Sequence, residues 1–367
     1  MAYTGVVPSA TTLADLWNST RKYRPFPKPT TLLPLHHFEI CDYWLTKAAR
    51  YSTGGTRVEF EVSYRENGSA EWVAPGAVRT PTLSDTTVRM SVPFVGLSGY
   101  YAVTDVELRQ NAGPAKMWNL LDQKRRAAML DIMKELESRA WEAPEDASDD
   151  THLWGVPYHV VPIQSGQTAG FNGALPYYKD GTQASTYQGI DVSQAKYARI
   201  RNYNDRWTND EGKITEEDIN RLAKMFMMLQ WKPPRQMADL EKPTYARFRI
   251  YTNMNIIQGL REYVRSANSQ LGKDPAAFGV RLQDGWPILF GYPVIWIEKL
   301  DEDSTNPLYM LNLDELVPIF DRNAHFAESD AMNDVSQHDV WVTYIDTRLN
   351  LACRDRRKLG VISYVAE

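Results

Sequence analysis

Two stretches in the first third of the chain alternate strictly between apolar and polar side chains. In residues 57–65, Val58, Phe60, Val62 and Tyr64 alternate with Arg57, Glu59, Glu61 and Ser63. In residues 87–95, Val88, Met90, Val92 and Phe94 alternate with Thr87, Arg89, Ser91 and Pro93. Period-two alternation gives a strand one apolar and one polar face. Asn67-Gly68 and Pro75-Gly76 lie between the two runs and signal turns. The pattern predicts a long hairpin with an irregular tip. A lone two-stranded hairpin is marginal in water, so its apolar face needs cover from its own domain or from another subunit. The period then changes. Met117, Leu121, Ala128, Ile132, Leu136 and Ala140 form one helical stripe, widened by Leu120, Met129 and Met133, with Pro114 before it and Pro144 beyond it. This predicts a helix over 116–141, about 39 Å long at 1.5 Å per residue, a backbone for its domain.

Elsewhere the signals are shorter. Residues 1–50 hold Pro25, Pro27, Pro29 and Pro34, which favour extended chain. The same stretch carries Leu13, Leu16, Trp17, Phe26, Leu32, Leu33 and Leu35, more apolar residues than a disordered tail needs. It reads as an arm that lies on something. Residues 151–189 are loop-like with a short strand at 158–163. Thr215, with Asp218 three residues on, caps a helix to Gln230 whose apolar side is Ile219, Leu222, Ala223, Phe226 and Leu229, thickened by Met225, Met227 and Met228. Such methionines fill a core rather than mark a cofactor site. A strand is expected at 247–251 and a helix at 255–271, stopped by Gly272. Further strands are expected at 287–290, 292–298, 307–311, 340–347 and 360–365. There is no internal repeat. A hairpin, a long helix and then mixed elements read as α+β.

Composition narrows the function classes. The 367 residues are 43% hydrophobic and 24% charged, with 11 Trp and 20 Tyr and a net charge of −5. That is globular, leaning toward subunit contact, and not the basic balance of a dedicated nucleic-acid binder. Cys41 and Cys353 are the only cysteines and are expected to be free and buried. No signal peptide opens the chain and no apolar run is long enough to cross a bilayer, so synthesis in a cytoplasm is expected. No phosphate loop, HExxH or GxSxG motif occurs, and the expectation is a chain that is not an enzyme and has no cofactor or metal. The adjacent His36 and His37 are read as packing, Asp301, Glu302 and Asp303 as a solvated loop, and Trp72 and Trp286 as outside any carboxylate pair. Two basic clusters, Lys124-Arg125-Arg126 and Arg354 with Arg356, Arg357 and Lys358, have acids close by at Asp131 and Asp355. Ion pairing is the expected role, with nucleic-acid contact as the competing one.

Several local stretches, in this order, resemble the major capsid proteins of tailed bacteriophages with the Hong Kong 97-type fold. They are Leu153-Trp154-Gly155-Val156-Pro157-Tyr158, Gly170-Phe171-Asn172-Gly173, Arg199-Ile200-Arg201-Asn202-Tyr203, Phe290-Gly291-Tyr292-Pro293-Val294 and Asn350-Leu351-Ala352-Cys353-Arg354-Asp355-Arg356-Arg357. The resemblance implies an N-arm at 1–50, an E-loop hairpin at 51–106, a P domain at 107–189 and 324–367 with its spine helix, and an A domain at 190–323. It implies self-assembly into pentamers and hexamers of an icosahedral shell around double-stranded DNA, with portal, scaffolding or decoration proteins as partners, in a virion assembled in the host cytoplasm. Inter-subunit contact would fall to Val58, Phe60, Arg65, Glu66, Glu71, Trp72, Arg79, Val88 and Met90, and the inner surface to Lys124, Arg125 and Arg126. An encapsulin-type nanocompartment shell is the alternative within the same fold. Some relatives begin with a long charged scaffolding helix; here fewer than about 60 residues precede the hairpin, and the expectation is a scaffold that is a separate protein, or none. Some weld neighbours through a hairpin Lys and an Asn. Here residues 51–111 contain no Lys, and the corresponding acceptor stretch reads Ser336-Gln337-His338-Asp339-Val340, so a non-covalent shell is expected.

Overall fold

The computed structural model describes residues 38–52, 54–70, 72–74, 85–110, 114–209, 212–229, 248–269, 279–333 and 339–365. In chain order the helices that matter are α1 (Ile40–Ala48, wound as a π-helix), α2 (Asp105–Gln110), α3 (Pro114–Ala140), α4 (Val156–His159), α5 (Glu216–Leu229) and α6 (Met254–Ser269). The strands are β1 (Arg50–Ser52), β2 (Arg57–Ser63), β3 (Thr87–Pro93), β4 (Val95–Thr104), β5 (Gly170–Gly173), β6 (Asn202–Arg206), β7 (Phe248–Thr252), β8 (Val280–Gln283), β9 (Trp286–Leu289), β10 (Tyr292–Trp296), β11 (Leu308–Asn312), β12 (Leu316–Asp321), β13 (Ala327–Glu328), β14 (Met332–Asn333), β15 (Val340–Cys353) and β16 (Gly360–Ser363).

Among the described residues these strands make two sheets and the hairpin β2–β3. The first sheet runs β1-β12-β15-β13, with β4 and β14 also paired to β15. The second runs β5-β6-β16-β11-β7-β10-β9-β8. The helix α3 lies on the first sheet. Leu121, Ala128 and Ile132 of its predicted stripe pack with Tyr101 and Val103 of β4 and with Trp341 and Ile345 of β15. Leu136 and Ala140, farther along the stripe, enter the core that joins the two sheets. The close approach depends on Gly99, where a Cβ would stand 2.6 Å from the Ile132 side chain. In the second sheet, α5 and α6 pack Ile219, Leu222, Met225, Ile256, Ile257 and Leu260 with strand residues such as Ile250, Leu308 and Ile362. Thr215 and Asp218 make the expected capping box. Thr215 N–H donates to Asp218 Oδ2 at 2.9 Å, and Asp218 N–H to Thr215 Oγ1 at 3.3 Å, which satisfies donors that a helix start otherwise leaves open.

Three expectations are corrected. Residues 40–48 are helical, not extended: the prolines stop at Pro34, and Ile40 and Trp44, four apart, are both buried. The strand expected at 158–163 is instead the end of the short helix α4 followed by irregular chain at 160–163. Pro157 in its first turn presets a helical φ, and the Asn202 amide, not a ladder partner, bonds both backbone groups of Val161. The strand expected at 340–347 continues to Cys353 because nearly every residue from Leu349 onward is buried, and burial on both faces erases alternation. The ladders also cross the boundaries expected between segments: β4, from 51–106, pairs along its length with β15, and β12, from 190–323, pairs with the same strand. Residues 1–37, with the arm's apolar side chains and His36-His37, and Met117, Glu71, Arg79 and 336–338 lie outside the described residues or side chains.

Candidate assembly surfaces

The hairpin pairs as its alternation predicts, Val58 opposite Val92, Phe60 opposite Met90 and Val62 opposite Val88. Its apolar face is covered by its own chain. Met90 is 1% exposed and joins Tyr64 in a cluster with Tyr158, Tyr187, Ile190, Val192 and Ile200, against which Phe60, Val62 and Val88 are half-buried. Ser91 N–H donates to the Gln188 carbonyl at 3.1 Å. Val58 is half-buried as well. Phe60, Val88 and Met90 thus pack on the chain they belong to, and Val58 lies opposite Val92 near the foot of the hairpin. What faces outward is polar or lies toward the tip: the ion pair Arg89–Glu59 at 3.2 Å, Glu66 paired with Arg199 at 2.9 Å, the exposed Arg65, and Trp72, whose side chain is wholly exposed. Such exposed pairs are each worth about 0–1 kcal/mol.

The basic triplet on α3 is neutralised within the chain. Lys124 Nζ meets Glu107 at 2.7 Å and donates to the Ala102 carbonyl at 3.0 Å; Arg125 pairs with Glu328 and Arg126 with Asp122. Among the described residues, the opposite face of the β4–β15 ladder is exposed around Tyr100 and Tyr344. Tyr100 and Tyr344 sit across from each other with rings 6.1 Å apart, 65% and 40% exposed, near the exposed Met332. Neither tyrosine stands out in the sequence, because β4 holds two glycines and lacks a clean alternation.

Behind these surfaces lies a hub that joins them. Arg356, read from sequence as part of a basic cluster, is fully buried. Its guanidinium donates to the His159 carbonyl at 2.7 Å, the Ala174 carbonyl at 2.6 Å and Asn202 Oδ1 at 2.9 Å, and lies over the Tyr187 ring at 4.1 Å. Burial, and next the charge on Arg356, push His159 down to about 3, so its imidazole is neutral and its Nδ1 meets the Tyr187 hydroxyl at 2.8 Å. Asn350 does for the hairpin what Asn202 does for the Val161 loop. Its Oδ1 accepts from Trp154 N–H at 3.0 Å, and its Nδ2 donates to the Pro93 carbonyl at 2.8 Å. Gly155 lies on the end of α3, where a Cβ would overlap the Glu142 carbonyl oxygen and press on those of Ala140 and Arg139 at 2.8 Å. Three of the five stretches quoted from the sequence therefore meet here, and a fourth, 170–173, adjoins them where Arg357 lies over the Phe171 ring at 4.2 Å and Gly173 pairs with Asn202. The fifth, 290–294, sits in the second sheet, where Phe290 stacks on Phe226 at 4.8 Å.

No protein-family model and no curated protein sequence matches the chain. Solved structures do. The cyanophage A-1(L) capsid subunit is 16% identical, with a TM-score of 0.53 over 94% of this chain and 97% of that one. The capsid of a native GTA particle with C5 symmetry is 13% identical, with a TM-score of 0.50 over 98% and 100%. The chain has the Hong Kong 97-type capsid fold. The holo-SrpI encapsulin of Synechococcus elongatus PCC 7942 shares that fold, at 12% identity and a TM-score of 0.51 over 98% and 96%.

Proposed function

We propose that this chain is the major capsid protein of a tailed bacteriophage, which assembles as pentamers and hexamers into the icosahedral head shell around double-stranded DNA. The observation that carries the proposal is coverage: the alignments to the cyanophage and GTA capsid subunits take in nearly the whole of both chains, so an element order built for a shell is present from end to end. In this reading the protein is structural and not an enzyme, resides in the virion after assembly in the host cytoplasm, and works with portal, scaffolding or decoration proteins. The foot of the hairpin is consumed by its own chain, so contact with a neighbouring copy falls to the tip: Arg65, Glu66, Glu71, Trp72 and Arg79. The paired state of Lys124, Arg125 and Arg126 supports a wall that encloses DNA without reading its sequence.

The encapsulin alignment, as complete as the phage ones, favours a second reading, a compartment shell with protein cargo. Microscopy and native mass spectrometry of purified particles test both. Closed shells with rings of five and six, filled with double-stranded DNA, are expected. Shells with protein cargo and no DNA transfer the assignment to a compartment, and monomers or dimers alone remove both. Particles boiled in denaturing detergent are expected to give a single band near 42.0 kDa. A ladder that survives reducing agent would overturn the non-covalent shell, which rests on the lack of a hairpin Lys.

A further inference from the structure

An open cavity of about 460 Å³ lies at the β5–β6 edge of the second sheet, lined by polar residues that include Gln167, Thr168, Asn172, Ser193 and Arg201. Arg201 is pinned at its wall. Nε and Nη2 donate to the Val192 carbonyl, and Nη2 also to the Ser193 carbonyl at 2.8 Å. Arg206 shares a face of β6 with Asn202 and Asn204 by the period of two, and its Nη2 donates to the carbonyl of the lining residue Gln167 at 3.3 Å. Beneath them, the buried Arg356 donates through Nη1 to the carbonyl of Ala174, another lining residue. Among the described residues none of these three guanidiniums forms an ion pair with a carboxylate; their hydrogen bonds go to neutral oxygens. We propose that this cavity binds a phosphate group, held by Arg201 and Arg206 over the charge of Arg356. The inference goes beyond the shell reading and stands without it.

The basic triplet on α3 shows the contrast, since Lys124, Arg125 and Arg126 each meet an acid of the same chain. Here the two nearby acids are committed elsewhere. Asp191 accepts from the Ser193 N–H and hydroxyl and from the Gln194 amide. Asp205 projects from the other face of β6, where it accepts the Arg206 backbone N–H and pairs with Arg221 at 3.5 Å. A guanidinium carries five N–H donors. Among the described residues, Nη1 of Arg201 and both Nε and Nη1 of Arg206 are left without an acceptor. Such donors suit a tetrahedral oxyanion, which takes paired N–H groups from a planar fork. Like charges gathered without a counter-charge repel one another, and a dianion between them turns that repulsion into attraction. A phosphate group fits better than a carboxylate because it offers more oxygens and up to two charges to the same three cations.

Titration of inorganic phosphate into the full chain at constant ionic strength, followed by calorimetry, tests the site. Binding is expected with a dissociation constant of about 0.1–10 mM. Arg201→Gln is expected to weaken it about tenfold or more. Arg206→Gln, which gives up only one hydrogen bond to a loop, is the variant safer for folding and is expected to weaken it by about threefold or more. Arg281→Gln is the control. It removes the same charge from an exposed position on β8, at the far end of the sheet from β5, and should change binding by less than about twofold. A short DNA duplex added to the titration separates the sources of the phosphate. Displacement of inorganic phosphate by the duplex assigns the site to a nucleic-acid backbone, and retention assigns it to a free anion; both outcomes keep the phosphate site. Wild-type protein that takes up no phosphate at about 10 mM, or equal weakening by the Arg201, Arg206 and Arg281 variants, would overturn it.

Discussion

Arg356→Met is expected to cost about 3–5 kcal/mol of folding stability, most of what a protein of this kind has to lose. Methionine refills the stem but leaves three buried acceptors, on His159, Ala174 and Asn202, without their donor. Asn202 would still hold Val161, so the first loss is the tie from the 356–358 turn to His159 and Ala174. Arg356→Lys keeps the charge but places one tetrahedral head where a planar fork spans three oxygens, and its melting midpoint should fall between the other two. Denaturant melts, together with soluble yield, measure the effect. A Met variant within about 0.5 kcal/mol of wild type would mean the hub is not what holds these loops.

Gly155→Ala comes second, with an expected cost of about 3 kcal/mol. The backbone there has an ordinary φ of −70°, so the penalty is steric and not conformational. The obstructing atoms are carbonyl oxygens at the end of α3, which cannot swing aside as a side chain would. Gly96→Ala is the matched control, since a Cβ at Gly96 meets nothing within 4 Å; it should change stability by less than about 0.5 kcal/mol. Equal melting curves for the two variants would contradict the close packing at Gly155.

How much of this was legible before the structure depended on which faces were wet. The hairpin and α3 each keep one apolar and one polar side, and their periods could be read directly from Val58 to Val62 and from Leu121 to Ala140. The strand β4 could not, since Gly96 and Gly99 interrupt it in the text, and only Gly99 serves the close approach of α3. The far half of β15 could not either, because it is buried on both faces. The hub was hidden for another reason. A run of letters shows that Arg356 is charged, not that it is buried, and the groups it satisfies are backbone carbonyls, which every residue carries. Asn202 and Asn350 stood inside recognised stretches, but their work as substitutes for missing ladder partners depends on Val161, Trp154 and Pro93, tens to hundreds of residues away. The hairpin's apolar face was evident, and for the same reason the aromatic cluster from Tyr158 to Ile200 that packs on it was not.

The position of Arg356 along the chain also sets an order of events. Its three acceptors precede it by 197, 182 and 154 residues. During synthesis the hairpin, α3 and the Asn202 loop all leave the ribosome long before the arginine that ties them together. Contacts of such long range close late and slowly. A nascent chain can therefore carry the hairpin, α3 and Asn202 yet lack the arginine that ties His159, Ala174 and Asn202 together. Under the shell function proposed above, that delay would separate making the subunit from using it, since a chain that has not yet placed Arg356 lacks the hub.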